Sequence, residues 1–217
     1  MVVSGFDKTN AAHALTCLLQ ARRPRLVVQA GVGGGFAQAG AAVGDLLLAS
    51  EEAYGDTGTS SPDGWLGVES FGLPLVEVGE RRYANVLPFD VGRVEAAARV
   101  LRVHPWEGVH PRVVVGRCLT LSQVTGTHAE ARALFERWGC VGESMEGAAA
   151  AQVCLLHDVP FLEVRGVSNV VGDRERAAWD IRGAAALAAE AAVALCGRVD
   201  EILVASRGAA APGGPGL

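Results

Sequence analysis

Short apolar segments alternate along this chain with longer segments rich in alanine, and this alternation limits the possible folds more than any other feature. The short segments have the length and the bounding residues of buried strands, whereas the longer segments are typical of helices. Predicted strands cover 26–30, 45–50, 74–78, 112–119, 140–145 and 160–167, and predicted helices cover 10–21, 91–103, 128–138, 147–157 and 177–197. This order indicates an α/β fold of three layers, in which helices cover both faces of a central mixed sheet.

Length and composition indicate one domain. The chain has 217 residues, of which 50% are hydrophobic, and this is enough to bury a sizeable core. We expect residues 1–206 to form the domain, with the Gly- and Ser-rich stretch 54–67 as a loop excursion. Residues 207–217 are mostly Gly, Ala and Pro, and we expect them to form a disordered tail.

Charge and residue usage argue against several classes of function. The net charge is −5 and Lys8 is the one lysine, so we predict no nucleic acid as a partner. The five cysteines are dispersed without a C-x-x-C, and the histidines form no H-E-x-x-H motif. We therefore predict no disulfide framework, no metal site and no cofactor. The sequence shows neither a leader-peptide pattern nor an apolar run of membrane-spanning length, which predicts a cytoplasmic protein without a membrane partner.

A carboxylate stands where the predicted strand 140–145 gives way to the Ala-rich helix 147–157. The small side chains of that helix allow it to approach the sheet closely. Because loops at the carboxyl ends of strands form the ligand crevice of open α/β sheets, Glu146 is placed where ligands usually bind. The alternative interpretation is a helix N-cap or first-turn carboxylate that the helix dipole stabilises.

The predicted strand 160–167 also ends in polar residues, Ser168 and Asn169, which should face the same crevice. An asparagine side chain offers one acceptor and two donors, so it can match both an acceptor and an N–H group on the edge of a heterocycle. Taken alone, Ser168 and Asn169 are more typical of an ordinary turn.

Together these segments resemble the purine nucleoside phosphorylase and nucleosidase superfamily. The resemblance rests on an acidic element, Ser144-Met145-Glu146-Gly147-Ala148-Ala149, and on a strand end, Arg165-Gly166-Val167-Ser168-Asn169. The glycine run 31–35 and the segment 43–53 are also similar to that family. The resemblance implies a nucleoside phosphorylase-like fold, a small-molecule nucleoside substrate and a homo-oligomer.

The resemblance further implies where the substrate lies. Gly31, Val32 and Gly33 follow a predicted strand and would lie in a loop against the base and the sugar. Val124 and Thr125, together with the following glycine, would lie near the base. The glycine spacing is not that of a dinucleotide-binding G-x-G-x-x-G unit, and a tight turn without a ligand is the alternative interpretation.

Within the superfamily, the segment Arg165 to Arg174 resembles the futalosine hydrolases, which release hypoxanthine in menaquinone biosynthesis. The implied chemistry is hydrolysis of an N-glycosidic bond through an oxocarbenium-like transition state. Glu146 would accept hydrogen bonds from the 2′ and 3′ hydroxyls of ribose, and Met145 would pack beneath the sugar. Asn169 would stabilise the departing base as a catalytic residue, and Ser168 would bind beside it. Asn169 suits a 6-oxopurine better than adenine, because its amide can donate to the oxo group or to N7.

Other functions remain open at this level. They are a methylthioadenosine/S-adenosylhomocysteine nucleosidase, a purine nucleoside phosphorylase and, in a different class, a non-catalytic nucleoside-binding protein. Residues 1–12 resemble a segment that follows the first strand in this family, with Asp7 where glycine is usual. We therefore expect the family's first strand and the carboxylate that activates water to lie upstream of Met1, and we expect Met1 to be a misassigned start or a trimmed end.

Overall fold

The computed structural model describes residues 1–108, 110–173 and 176–206. Its strands are β1 Val27–Gly35, β2 Leu46–Tyr54, β3 Gly58–Ser61, β4 Gly64–Gly67, β5 Val76–Val78, β6 Arg81–Tyr83, β7 Val86–Pro88, β8 Val113–Thr120, β9 Gly142–Ser144 and β10 Phe161–Val170. Its α-helices are α1 Lys8–Ala21, α2 Val91–Val103, α3 His128–Trp138, α4 Gly147–Leu156, α5 Ile181–Gly197 and α6 Val199–Ser206. Short 3₁₀ helices span Ala37–Ala39, Val68–Phe71 and Arg176–Ala178.

The central sheet has six strands in the order β10-β1-β9-β8-β2-β7, and it is mixed as predicted. β1 runs parallel to β10 and antiparallel to β9, while β8 runs parallel to both β9 and β2. A further pairing, which the sequence did not predict, joins Val164 of β10 to Leu48 of β2. This antiparallel contact closes the sheet on itself, so that β10 is bonded to a strand on each side.

Helices pack on the sheet through small side chains. The first turns of α4 bury Gly147 and the alanines 148–151, which lets this helix lie directly against β8 and β2. α1 packs on α4, α5 covers β10 and β1, and α2 contacts α5 and α6. The core between these layers includes the fully buried side chains of Leu46, Leu48 and Leu162. These side chains belong to one buried cluster, and a second, smaller cluster includes Phe36 and Leu119. A single domain over 1–206 stays a prediction, and the predicted tail 207–217 lies outside the described residues.

Two glycine-containing stretches differ from expectation. The run 31–35, predicted as a loop, is the second half of β1, because β10 and β9 both pair with it. The stretch 54–67, predicted as a loop excursion, contains the hairpin of β3 and β4. Glycine can form part of a strand when neighbouring strands supply the hydrogen bonds. The local sequence pattern does not show which strands will be neighbours, so it did not predict these strand residues.

Within the described ranges, no helix combines the length and the apolar character that a membrane crossing requires.

Candidate active site

A cavity of about 580 Å³ opens at the carboxyl ends of β1 and β10. The structure brings most of the predicted site residues to its wall. Those that line it are Gly31, Val32, Gly33, Val124, Met145, Glu146, Ser168 and Asn169. Thr125 is buried behind this wall, where it contacts Glu143 rather than the cavity. Sequence reasoning did not anticipate the lining contributed by Trp179 and Ile181, beyond β10, or by the segment Ser4–Phe6.

The glycines of β1 make room for protein groups. A Cβ atom on Gly31 would lie 2.6 Å from Nη1 of Arg165, and a Cβ atom on Gly33 would lie 2.9 Å from the carbonyl oxygen of Glu143. Both separations are far below van der Waals contact. Gly33 is therefore required by the packing of the site itself, because backbone occupies the space, whereas a side chain at Gly31 would displace the guanidinium of Arg165.

Glu146 is held by two donors. Its Oε1 accepts a hydrogen bond from the backbone N–H of Asp7 at 3.0 Å, and its Oε2 accepts from Nη1 of Arg165 at 2.9 Å. Although Glu146 occupies the N-cap position of α4, its side chain makes no capping hydrogen bond. Glu146 thus stands at the helix N-terminus, as the alternative interpretation held, but its side chain lines the cavity and bonds to Asp7 and Arg165 rather than to the N–H groups of the helix.

Arg165 connects the cavity to a buried group of charges. Its side chain is 5% exposed, and its Nε donates to Oε1 of Glu163 at 2.7 Å. Burial alone would lower the pKa of Arg165, but the negative charges of Glu163 and Glu146 raise it above its ordinary value. The guanidinium therefore remains charged, and it bridges a carboxylate of the cavity and a carboxylate of the core.

A second buried carboxyl group, Glu52, lies beside Glu163 beneath the start of α4. Both residues are completely buried, and a Cβ atom on Gly147 would overlap with a carboxyl oxygen of each. Burial, reinforced by the charge of Glu163, raises the pKa of Glu52 well above its ordinary value. Thr120 donates to Oε2 of Glu52 at 2.7 Å. The resemblance pointed to Arg165 as a motif residue, but sequence reasoning missed Glu52 and Glu163; a charged residue two positions before Arg165 in an apolar strand was the available signal for Glu163.

Glu143 is a carboxyl group in the cavity wall that the sequence analysis did not single out. Its Oε1 accepts from the backbone N–H of Thr125 at 3.1 Å, and its Oε2 accepts from Oγ1 of Thr125 at 2.5 Å. Burial raises the pKa of Glu143 to about 7, although the two hydrogen bonds from Thr125 act in the opposite direction. A carboxyl group of this kind exchanges protons near neutral pH.

Ser168 and Asn169 end β10 at the cavity. Oγ of Ser168 lies 2.9 Å from Oδ1 of Asn169 and 3.2 Å from the carbonyl oxygen of Gly33. The single hydroxyl proton of Ser168 can be donated to one of these two acceptors. The Nδ2 group of Asn169 makes a long contact of 3.3 Å with the carbonyl oxygen of Val170. The interpretation of these residues as an ordinary turn does not hold, because both belong to β10.

The described part of the chain contains no cluster of three or more His, Cys, Asp or Glu side chains that could hold a metal ion. The cavity is lined by two carboxyl groups, a guanidinium, the amides of Gln29 and Asn169, and apolar side chains. Such a set can bind hydroxyl groups and a heterocycle, and it can stabilise a nearby positive charge.

The family model described as the phosphorylase superfamily matches residues 1–203. The chain belongs to this superfamily. It is 35% identical over 211 residues to the futalosine hydrolase of Thermus thermophilus, covering 97% of this chain and 84% of that protein. It is 40% identical over 174 residues to the futalosine hydrolase of Streptomyces coelicolor, covering 80% of this chain and 66% of that protein.

A solved structure of the futalosine hydrolase of Helicobacter pylori strain 26695 has the same fold. The TM-score is 0.73 at 19% sequence identity, and the match covers 90% of this chain and 77% of that one. The predicted superfamily and its α/β fold with a central mixed sheet are thereby confirmed.

Proposed function

We propose that this chain hydrolyses the N-glycosidic bond of futalosine and releases hypoxanthine, a step of menaquinone biosynthesis. The observation that carries the proposal is the presence of Glu146 and Asn169 on the wall of one cavity, in a chain similar to two futalosine hydrolases. The two side chains are suited to the two halves of a nucleoside, the sugar and the base.

Glu146 is the residue for the sugar. One of its oxygens is bound to a guanidinium and the other to a backbone N–H, and carboxylate oxygens have further lone pairs that can accept from ribose hydroxyls. Because both donors hold the carboxylate in place, it does not have to reorganise when positive charge develops on the sugar. Met145 lies in the same wall and provides an apolar surface for the sugar ring.

Asn169 is the residue for the base. Its Oδ1 lies 2.9 Å from the hydroxyl of Ser168, and its Nδ2 carries two donor hydrogens, one of which can bind a base. A 6-oxopurine presents acceptors at both O6 and N7, whereas the 6-amino group of adenine is a donor that opposes Nδ2. This difference favours a hypoxanthine nucleoside over an adenine nucleoside.

The remaining assignments accompany this function. Gly31, Val32, Gly33 and Val124 bind substrate in the cavity wall, with Thr125 supporting the wall from behind. The enzyme requires no cofactor, and we propose a homo-oligomeric, cytoplasmic protein with a small nucleoside as its substrate. The 5′ substituent that distinguishes futalosine from inosine extends from the same cavity.

The test is hypoxanthine release from futalosine, with inosine and methylthioadenosine as controls and with phosphate present or absent. The assay uses this chain and a version extended upstream in its reading frame. We expect phosphate-independent release from futalosine, and loss of release in Glu146→Gln. Strict dependence on phosphate would instead identify a phosphorylase, and binding without release from either version would identify a non-catalytic protein.

A further inference from the structure

Departure of the base requires a proton that the predicted residues do not supply. Cleavage of the bond between C1′ and N9 sends the bonding electron pair to the purine, which leaves more readily when a ring nitrogen is protonated. The amide of Asn169 carries no acidic proton. The source of the proton therefore lies elsewhere in the cavity or in solvent.

Three ionisable side chains line the cavity within the described ranges: Glu143, Glu146 and Arg165. An arginine side chain keeps its proton in proteins, so Arg165 is not the source. Glu146 is bound to a guanidinium and to a backbone N–H, both of which require its oxygens as acceptors. Glu143 differs, because both of its donors belong to Thr125 and neither is charged.

The strand register places Glu143 and Asn169 in one row across the sheet. Gly34 of β1 pairs with Glu143 of β9 on one side and with Asn169 of β10 on the other. Directly paired residues project from the same face of a sheet. The middle position is glycine, and a Cβ atom there would lie 2.8 Å from Cγ2 of Val171 as well as close to both flanking side chains, so the three side chains meet over Gly34.

Glu143 and Asn169 are close enough to each other to bind one edge of a purine. A Cβ atom on Gly34 would lie 3.3 Å from Nδ2 of Asn169 and 3.4 Å from Cγ of Glu143, so these two atoms are within about 7 Å of each other. The O6 and N7 atoms of a 6-oxopurine share one edge. A purine that accepts a hydrogen bond from Asn169 at O6 would thus have N7 on the side of Glu143.

The surroundings of Glu143 allow it to hold a proton near neutral pH. Burial raises the pKa of its carboxyl group to about 7, and the charge of Glu130 in the first turn of α3 contributes in the same direction. The other titratable group that interacts with it is the buried thiol of Cys140, which has a pKa raised to about 12 and stays neutral. A general acid is most effective when its pKa lies close to the working pH.

We propose that Glu143 is the general acid that protonates the departing hypoxanthine while Asn169 holds its edge, an inference that rests on the proposed hydrolysis of futalosine. The C1′–N9 bond breaks, its electron pair goes to the base, and the proton of Glu143 goes to N7. The oxygen of water forms the new bond to C1′. The proton that the water releases restores the carboxyl group through solvent, so the reaction consumes one water and no other reactant.

The first test compares two leaving groups in Glu143→Gln, which keeps the size of the side chain and an acceptor for Thr125. Futalosine needs protonation of its base, whereas the nitrophenolate of 4-nitrophenyl riboside leaves without a proton. We expect kcat on futalosine to fall by about 10²-fold to 10⁴-fold and kcat on the riboside to be retained. Equal losses on both substrates would mean that Glu143 only supports the cavity wall, and that result would overturn the proposal.

The second test uses two variants that should shift the pKa of Glu143 in opposite directions. Because the acid must be protonated, we expect kcat/KM on futalosine to decline as the pH rises through about 7. Thr125→Val removes a hydrogen bond that favours the carboxylate, so the decline should move to higher pH. Glu130→Gln removes a negative charge but keeps an acceptor for the N–H of Gly126, so the decline should move to lower pH.

In Glu143→Gln the alkaline decline should disappear. The proposal is contradicted if the activity of the unaltered chain, Thr125→Val, Glu130→Gln and Glu143→Gln declines at one and the same pH. The comparison of the first three proteins remains decisive even if Glu143→Gln folds poorly. If the unaltered chain releases no hypoxanthine at any pH, the proposed function itself fails. If it releases hypoxanthine and Glu143→Gln matches it across the pH range, only the assignment of Glu143 fails.

Discussion

Glu143 and Glu146 are three residues apart in sequence and line the same cavity, yet their hydrogen-bond partners differ. On the Arg165 side, Glu146 accepts from a buried cation and from a backbone N–H. On the Thr125 side, Glu143 accepts from neutral donors, and burial raises its pKa to about 7. The comparison shows that the chemistry of a carboxyl group depends on its partners: one is suited to stabilise positive charge and the other to exchange a proton.

The largest expected effect comes from removing the cation that distinguishes the two sides. Arg165→Met leaves Glu163 buried without its ion-pair partner, and breaking such a pair from one side costs about 3–5 kcal/mol. We therefore expect a large fall in the free energy of unfolding, measured by urea denaturation. Arg25→Met, which breaks an exposed ion pair with Asp200, is the matched control and should change stability little. Equal effects of the two variants would contradict the structural importance of Arg165.

The variant Glu146→Gln tests the role of Glu146 while Arg165 remains in place. The amide keeps the shape of the side chain but loses its negative charge. We expect kcat for hypoxanthine release to fall by about 10²-fold to 10³-fold, the loss typical when one preorganised electrostatic group is removed. Thermal unfolding should show that the variant remains folded. Retention of full activity would rule out an electrostatic role for Glu146.

The raised pKa of Glu143, on the Thr125 side, can be tested by measuring stability without an activity assay. A carboxyl group with a raised pKa in the folded state stabilises the fold below its unfolded pKa of about 4.5, and this contribution is lost as the pH rises to about 7. The shift corresponds to about 3 kcal/mol at most. Urea denaturation of Glu143→Gln at several pH values should therefore show a weaker decline in stability between these limits than the unaltered chain shows. An unchanged pH dependence would mean that burial does not raise the pKa of Glu143.

Local signals accounted for much of the fold. The bounds of α2 and α3 were predicted to the residue, since Asp90 and Thr127 cap their N-termini and Gly139 ends α3 in the left-handed conformation. The bounds of β1 were wrong, because its glycine half is a strand only by virtue of β9 and β10. α6 and the short strands β3 to β7 were mostly missed, because their sequences are short and carry little periodicity.

The candidate site was likewise predicted only in part. Glu146, Ser168 and Asn169 were found because polar residues ended predicted strands, and the structure places them on one cavity wall. The partners that tune the site were not found, because Glu52 lies beside Glu163 only after distant segments have folded together. The row of Glu143, Gly34 and Asn169 depends on the register of three strands, and periodicity along one strand carries no information about register.

The closure of the sheet has a consequence for how the protein is made. β10 pairs with β1 and with β2, two strands from the other end of the chain, so neither partner can complete its hydrogen bonds until β10 has left the ribosome. Contacts between segments far apart in sequence form slowly, and unpaired strand edges expose a nascent chain to aggregation. Nascent β1, with its run of glycines, therefore has no strand partner until most of the protein has been synthesised.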